Sequence, residues 1–174
     1  MNVMLHCVVM EKSYNKFYEV LASKLCSYNY NFKFSFQYAI WDKFKSLSEM
    51  QVLAISHLAK FVAGLILEFS LPISVLKVVN FASLDTHMIL FLRVFFLAVF
   101  EVTDSDKVQS VFERLLAAET SPDLVHGISM FIESTIAPLL QQASDRIKDI
   151  QVTKRNLKVA KKQLGKALYI DDDM

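Results

Sequence analysis

The sequence predicts an all-α fold of stacked antiparallel helices, and three observations carry that prediction. Of 174 residues 53% are hydrophobic, with 14 Phe against 3 Gly and 3 Pro, a composition poor in turns and rich in long regular elements. Apolar residues recur at helical spacing through most of the chain. The single stretch with strand-like alternation, Tyr28 to Tyr38, has no second alternating segment to pair with. The length fits one domain or part of a larger one, and it is enough to bury a substantial core.

Met1 to Met10 is apolar with helical spacing. Tyr14 to Ser27 follows as a second helix, with Phe17, Leu21 and Leu25 on its inner face and Ser13 as its cap. Asn29 and Asn31 suit a turn and an N-cap. The next stretch gives two signals at once. Tyr28 to Tyr38 alternates aromatic and polar residues, yet Phe32, Phe36, Ile40, Phe44 and Leu47 share one helical face. Phe34, Tyr38 and Trp41 fall on roughly the opposite face at about 100° per residue. A helix over about Phe32 to Leu47 is the consistent reading. Its two apolar faces predict a helix sandwiched between neighbours, with the rings packed in the core rather than stacked on bases.

Glu49 to Phe69 is the next long helix, with Ile55, Leu58, Val62, Leu65, Ile66 and Phe69 inward. Ser70-Leu71-Pro72 breaks it, because the residue before proline leaves the α region. Ile73 to Phe81 reads as a short helix, and Ser83 to Thr86 supplies turn and capping residues for His87 to Val102. Asp104 to Ala118 is a clean amphipath, with Val108, Val111, Phe112, Leu115 and Leu116 inward. Thr120-Ser121-Pro122-Asp123 is a helix-start signal for a helix carrying Leu124, Ile128, Phe131 and Ile132. Pro138 should kink or restart that helix. Helix pairs of this kind, several apolar on more than one side, predict a HEAT-like α-solenoid.

The last segment differs. Ile150, Leu157 and Leu164 sit at heptad spacing over Asp145 to Ile170, with Leu168 close by. Lys154, Arg155, Lys158, Lys161, Lys162 and Lys166 surround that narrow seam. Residues 145 to 166 carry eight basic and two acidic groups, and Asp171, Asp172 and Asp173 close the chain. The domain reading is therefore a helical-repeat part, 1–144, and a basic amphipathic helix with an acidic end, 145–174. The six basic residues are the candidate RNA-phosphate contacts, and a solvated terminal face is the alternative.

Other classes of function find little support. The longest uncharged run, Ser134 to Ser144, is eleven residues, whereas a spanning helix needs about twenty. Arg93 interrupts the most apolar stretch, Met88 to Phe100. Arg93-Val94-Phe95-Phe96 fits a phosphatase-docking pattern, but inside that helix it reads as core. Glu11 and Lys12 close the first apolar run, and no cleavage site for a secretory signal follows. Cys7 and Cys26 form no disulfide framework and read as buried reduced thiols. No metal-ligand, nucleophile-elbow or phosphate-loop pattern occurs. His6, His57, His87 and His126 are isolated from one another and read as structural or surface residues. Asp104 and Asp106 read as helix-start charges. No catalytic residue, cofactor or metal is expected.

Two blocks carry a family resemblance. EKSYNKFYEVLASKLCSYNYNFKFSFQYAIWDKFK, Glu11 to Lys45, resembles the MA-three domain of the nucleolar proteins that pair it with an initiation-factor-4G middle domain. SLPISVLKVVNFASLDTHMILFLR, from Ser70, agrees with a second block of that domain. The resemblance covers roughly residues 2 to 115. Splicing-factor relatives share the fold but lack the WDKFK block, which favours the nucleolar branch. The resemblance implies a HEAT-like scaffold in small-subunit ribosome biogenesis and pre-18S RNA processing, located in the nucleolus. Its implied partners are a DEAD-box helicase of the initiation-factor-4A class and pre-ribosomal proteins. In this branch the helicase is expected mainly on the middle domain, which this sequence does not contain. The family domain begins about one helical pair before the position of Met1, so the first helix is expected to expose Val3 and Val8. Where the family has basic residues ahead of FLR, this chain has Thr86, His87 and Met88.

Overall fold

The computed structural model describes residues 1–117, 122–142 and 150–168. Among the described residues there is no strand, and the elements are α-helices joined by short turns. They are α1 (Asn2–Met10), α2 (Phe17–Tyr28), α3 (Asn31–Lys45), α4 (Val52–Leu67), α5 (Thr86–Phe100), α6 (Ser105–Ala117), α7 (Pro122–Phe131), α8 (Ala137–Gln142) and α9 (Ile150–Leu168). The architecture is all-α and HEAT-like, as the sequence predicts. The chain divides into two compact units.

The first unit contains Met1–Leu71 and Leu84–Phe95. α4 is its centre, packed by α1 and α2, and it buries Ile55, Leu58, Phe61, Val62, Leu65 and Ile66. Phe36 and Ile40 of α3 are fully buried, and Phe36 meets Phe61 at 6.2 Å between ring centroids. Phe44 meets Phe91 edge-on at 4.9 Å. Side chains cap the helices where backbone N–H groups lack partners. Asn29 Oδ1 accepts from the Asn31 N–H at 2.9 Å, and Asp85 Oδ1 from the N–H groups of His87 and Met88 at 2.8 and 2.9 Å. α4 ends as its Leu65 carbonyl accepts from the Ser70 N–H at 2.9 Å, with Phe69 at φ 54. That left-handed position usually belongs to glycine.

The second unit contains Pro72–Ser83 and the residues from Phe96 onward. Phe96, Phe100, Phe112 and Phe131 form its aromatic interior, with neighbouring rings 5.9 to 6.4 Å apart. Phe95 and Phe96 are fully buried, so the Arg93–Phe96 pattern is core. Asp104 caps α6, its Oδ1 accepting from the Asp106 N–H at 3.1 Å. Pro122 opens α7. A π turn, Ile132–Ile136, separates α7 from α8. It lies just before Pro138, which offers no N–H and whose ring crowds the carbonyl four residues back.

Several expectations need correction. The inner face of α2 is Glu19, Ala22 and Cys26; Phe17 is 60% exposed and Leu21 and Leu25 are half-buried. Gly64 of α4 leaves room for the Glu19 side chain on that face, and the bulky side chains lie on the flanks of α2. Ser13 caps nothing; the Asn15 side chain accepts from the Phe17 N–H at 3.0 Å instead. Ile73–Val78 is a 3-10 helix that stops short of Phe81, ended by the Asn80 turn. Val3 is exposed as expected, but Val8 is buried against its own unit. Cys26 is buried, whereas Cys7 is only half-buried.

Candidate functional site

The six basic candidates lie on α9, which packs against α6 and α7. At 100° per residue they occupy one arc, opposite the buried Thr153, Asn156, Leu157, Ala160 and Leu164. Asn156 is the anchor of that docking. Its amide donates to the carbonyls of Phe100 and Val102 at 2.8 and 2.6 Å, and its oxygen accepts from the Ser105 hydroxyl at 2.6 Å. All three partners are satisfied by one fully buried side chain.

The structure divides the six. The Arg155 guanidinium donates to the Thr103 carbonyl at 2.9 Å, Lys161 pairs with Glu133 at 2.7 Å, and Lys166 donates to Gln163 at 3.0 Å. Lys154, Lys158 and Lys162 form no ion pair among the described residues, and Lys158 and Lys162 are exposed. They recur at i, i+4 and i+8, a line of ammonium groups spanning about 12 Å. Asp171, Asp172 and Asp173, the expected acidic end, lie outside the described residues.

A second surface is one that the sequence reading placed in the core. Tyr28 is 87% exposed, Tyr30 63%, Phe34 45% and Tyr38 60%. The Phe36 face of α3 is covered and Trp41 is half-buried, while these four rings face outward, so α3 is not buried on both faces along its length. The interleaved Lys and Tyr residues were the available signal, since hydroxyls and ammonium groups resist burial. Lys33 holds its ammonium 5.4 Å from the centre of the Tyr30 ring.

A buried polar cluster joins α2 to α4. Glu19 accepts a hydrogen bond from the Tyr14 hydroxyl and lies against Gly64. Burial pushes the Glu19 carboxyl above the usual carboxylate range, Glu68 adds to this, and Tyr14 and Lys16 oppose it. Burial, reinforced by Glu19, raises the Tyr14 hydroxyl as well. The His57 ring lies tilted against Tyr14 at 5.7 Å between centroids, and its Nδ1 has no hydrogen-bond partner in the structure. His6 and His126 are exposed and His87 is half-buried. Among the described residues no group of three or more His, Cys, Asp or Glu could hold a metal ion. None of the described helices is long and apolar enough to cross a membrane.

Helix pairs packed around apolar interiors, presenting a basic line and an aromatic face, define a helical-repeat interaction domain. Residues 1–72 of the chain match the MA3 domain family. It is similar to Nucleolar MIF4G domain-containing protein 1 of Mus musculus, 38% identical over 131 residues, covering 75% of this chain and 15% of that protein. Suppressor of glycerol defect protein 1 of Schizosaccharomyces pombe is 38% identical over 124 residues, 66% of this chain and 16% of that protein. The Pre-mRNA-splicing factor CWC22 homolog of Xenopus laevis is 23% identical over 159 residues, 85% of this chain and 20% of that protein. The chain thus resembles the middle-domain-plus-MA3 proteins whose names are nucleolar more strongly than the splicing branch. It spans about a sixth of the length of the Mus musculus and Schizosaccharomyces pombe relatives.

Proposed function

We propose that this chain is a non-catalytic protein-interaction scaffold in nucleolar small-subunit ribosome assembly and pre-18S RNA processing. In this reading it works beside a DEAD-box helicase of the initiation-factor-4A class. The observation that supports it most is the 38% identity to a nucleolar MIF4G domain-containing protein across 75% of the chain. The fold agrees with it, since a HEAT-like stack offers broad outward helix faces for protein partners. A tagged pull-down from nuclear extract, read by mass spectrometry, tests it. Enrichment of small-subunit processing factors with such a helicase is the expected result. A folded chain that recovers none of them refutes the proposal.

A second reading, RNA binding through α9, is favoured by the line of Lys154, Lys158 and Lys162. Deleting α9 would uncover α6 and confound the test. Replacing the three lysines by glutamine keeps the buried seam intact. Loss of a salt-dependent RNA affinity in that variant would establish the α9 contact.

A further inference from the structure

The outward side of α3 has properties that neither reading uses. At 100° per residue Tyr30, Phe34, Tyr38 and Trp41 share one arc, opposite the buried Phe36, Ala39 and Ile40. One ring recurs about every turn along roughly 15 Å of helix. The rings are arranged in two edge-to-face pairs: Tyr30 with Phe34 at 5.2 Å, and Tyr38 with Trp41 at 5.4 Å. Each pair is stiffened by its own contact, so a planar ligand would meet rings already held in place.

The sequence leading into these rings carries charge of one sign. From Val20 to Trp41 the sequence has Lys24 and Lys33 and no acidic residue. The acidic residue of α3, Asp42, is paired with Lys45 at 2.8 Å. Beside Tyr38 the face opens into a groove of about 410 Å³ between α1 and α3, lined also by Met1, Asn2, Val3, Ser35 and Asp42. The arc holds no Leu, Ile, Val or Met. A face built to grip a partner helix would offer aliphatic side chains to interdigitate. Rings, ammonium groups and small polar groups suit bases, phosphates and base edges.

We propose that the outward face of α3 binds single-stranded RNA, with bases stacked on Tyr30, Phe34 and Tyr38 and a phosphate held by Lys33. The contact is distinct from the α9 line and independent of any helicase. Unpaired bases are required, because a duplex hides its π-faces in its own stack.

Trp41 is the single tryptophan of the chain and reports directly on this face. The full chain is titrated with a single-stranded 12-nucleotide oligouridylate at several salt concentrations while its fluorescence is followed. Expected are saturable quenching and a log–log salt slope of about −0.7 from one phosphate contact. Duplex RNA of the same length should leave the fluorescence unchanged. Phe34→Ala and Tyr38→Ala should each weaken binding roughly 5-fold or more, with circular dichroism melts unchanged. The proposal is overturned if there is no quenching. It is equally overturned if the ring variants bind normally while the α9 lysine variant loses binding. Light scattering that shows these rings holding a dimer, with RNA without effect, also rejects it.

Discussion

The Glu19 carboxylate of α2 lies against the Cα of Gly64 in α4, where a methyl group would collide with it. Glu19 cannot swing away freely, because it is 8% exposed and bonded to the Tyr14 hydroxyl. Gly64→Ala should therefore destabilise the chain by about 1–3 kcal/mol through overpacking. Urea unfolding measures this. Glu19→Ala in the same chain removes the obstacle, so the double variant should lose less than the sum of the two single losses. Strict additivity would mean that the two residues do not meet.

The same carboxyl sets a pH dependence. Glu19 titrates above its ordinary 4.5 in the folded chain because burial disfavours its charge. The folded state thus holds its proton where the unfolded state has released it. The sign follows: stability falls as pH rises from about 4.5 through the raised value, and the penalty persists above it. Glu19→Gln, which still accepts from Tyr14, should flatten that part of the curve. A curve of unchanged slope in the variant would assign the dependence to other groups. Tyr14 adds a second fall above its ordinary 10.0, where only the unfolded chain ionises.

Asn156 holds α9 through three hydrogen bonds to the segment Phe100–Ser105. Asn156→Ala leaves two carbonyls without their donor, at a cost of about 2–4 kcal/mol. Hydrogen exchange should show α9 amides losing protection before those of α4. Asn156→Asp should be worse, since it sets a carboxylate against the same carbonyls. Uniform loss across all helices would show that α9 does not open by itself.

Phe100 is fully buried and stacks on both Phe96 and Phe112. Phe100→Ala should cost about 3–5 kcal/mol, the largest single loss among these variants. Phe17→Ala, on a ring 60% exposed, should stay within about 0.5 kcal/mol. Thermal melts of the two side by side test the placement of each ring.

Much of the helix order was legible because periodicity and punctuation agree. Pro72, Asp85, Asp104 and Pro122 each stand where a helix ends or begins. The rotation of a helix was harder to read. Phe17, Leu21 and Leu25 look like an inner face, yet Glu19, Ala22 and Cys26 are the residues inside. Hydropathy rewards the large ring, whereas the missing side chain of Gly64 leaves room for the Glu19 carboxyl. Nothing local in the sequence reveals that Glu19 has a tyrosine five residues away to share its proton bond. For α3 the two apolar stripes were seen correctly, but pattern alone does not say that Tyr30, Phe34 and Tyr38 stay exposed. On α9 the charge run located the basic face. Its division into partnered and unpartnered residues depends on Thr103 and Glu133, far away in sequence.

Ser105 and Asn156 stand 51 positions apart, which gives their contact a place in time as well as in space. A ribosome adding about 5–20 residues per second needs roughly 3–10 s to deliver the second partner after the first. Through that interval α6 has been synthesised but its covering helix has not. Val111, Phe112 and Leu115 are the surface a nascent-chain chaperone would meet in those seconds. The order of synthesis leaves this face of α6 uncovered until α9 arrives.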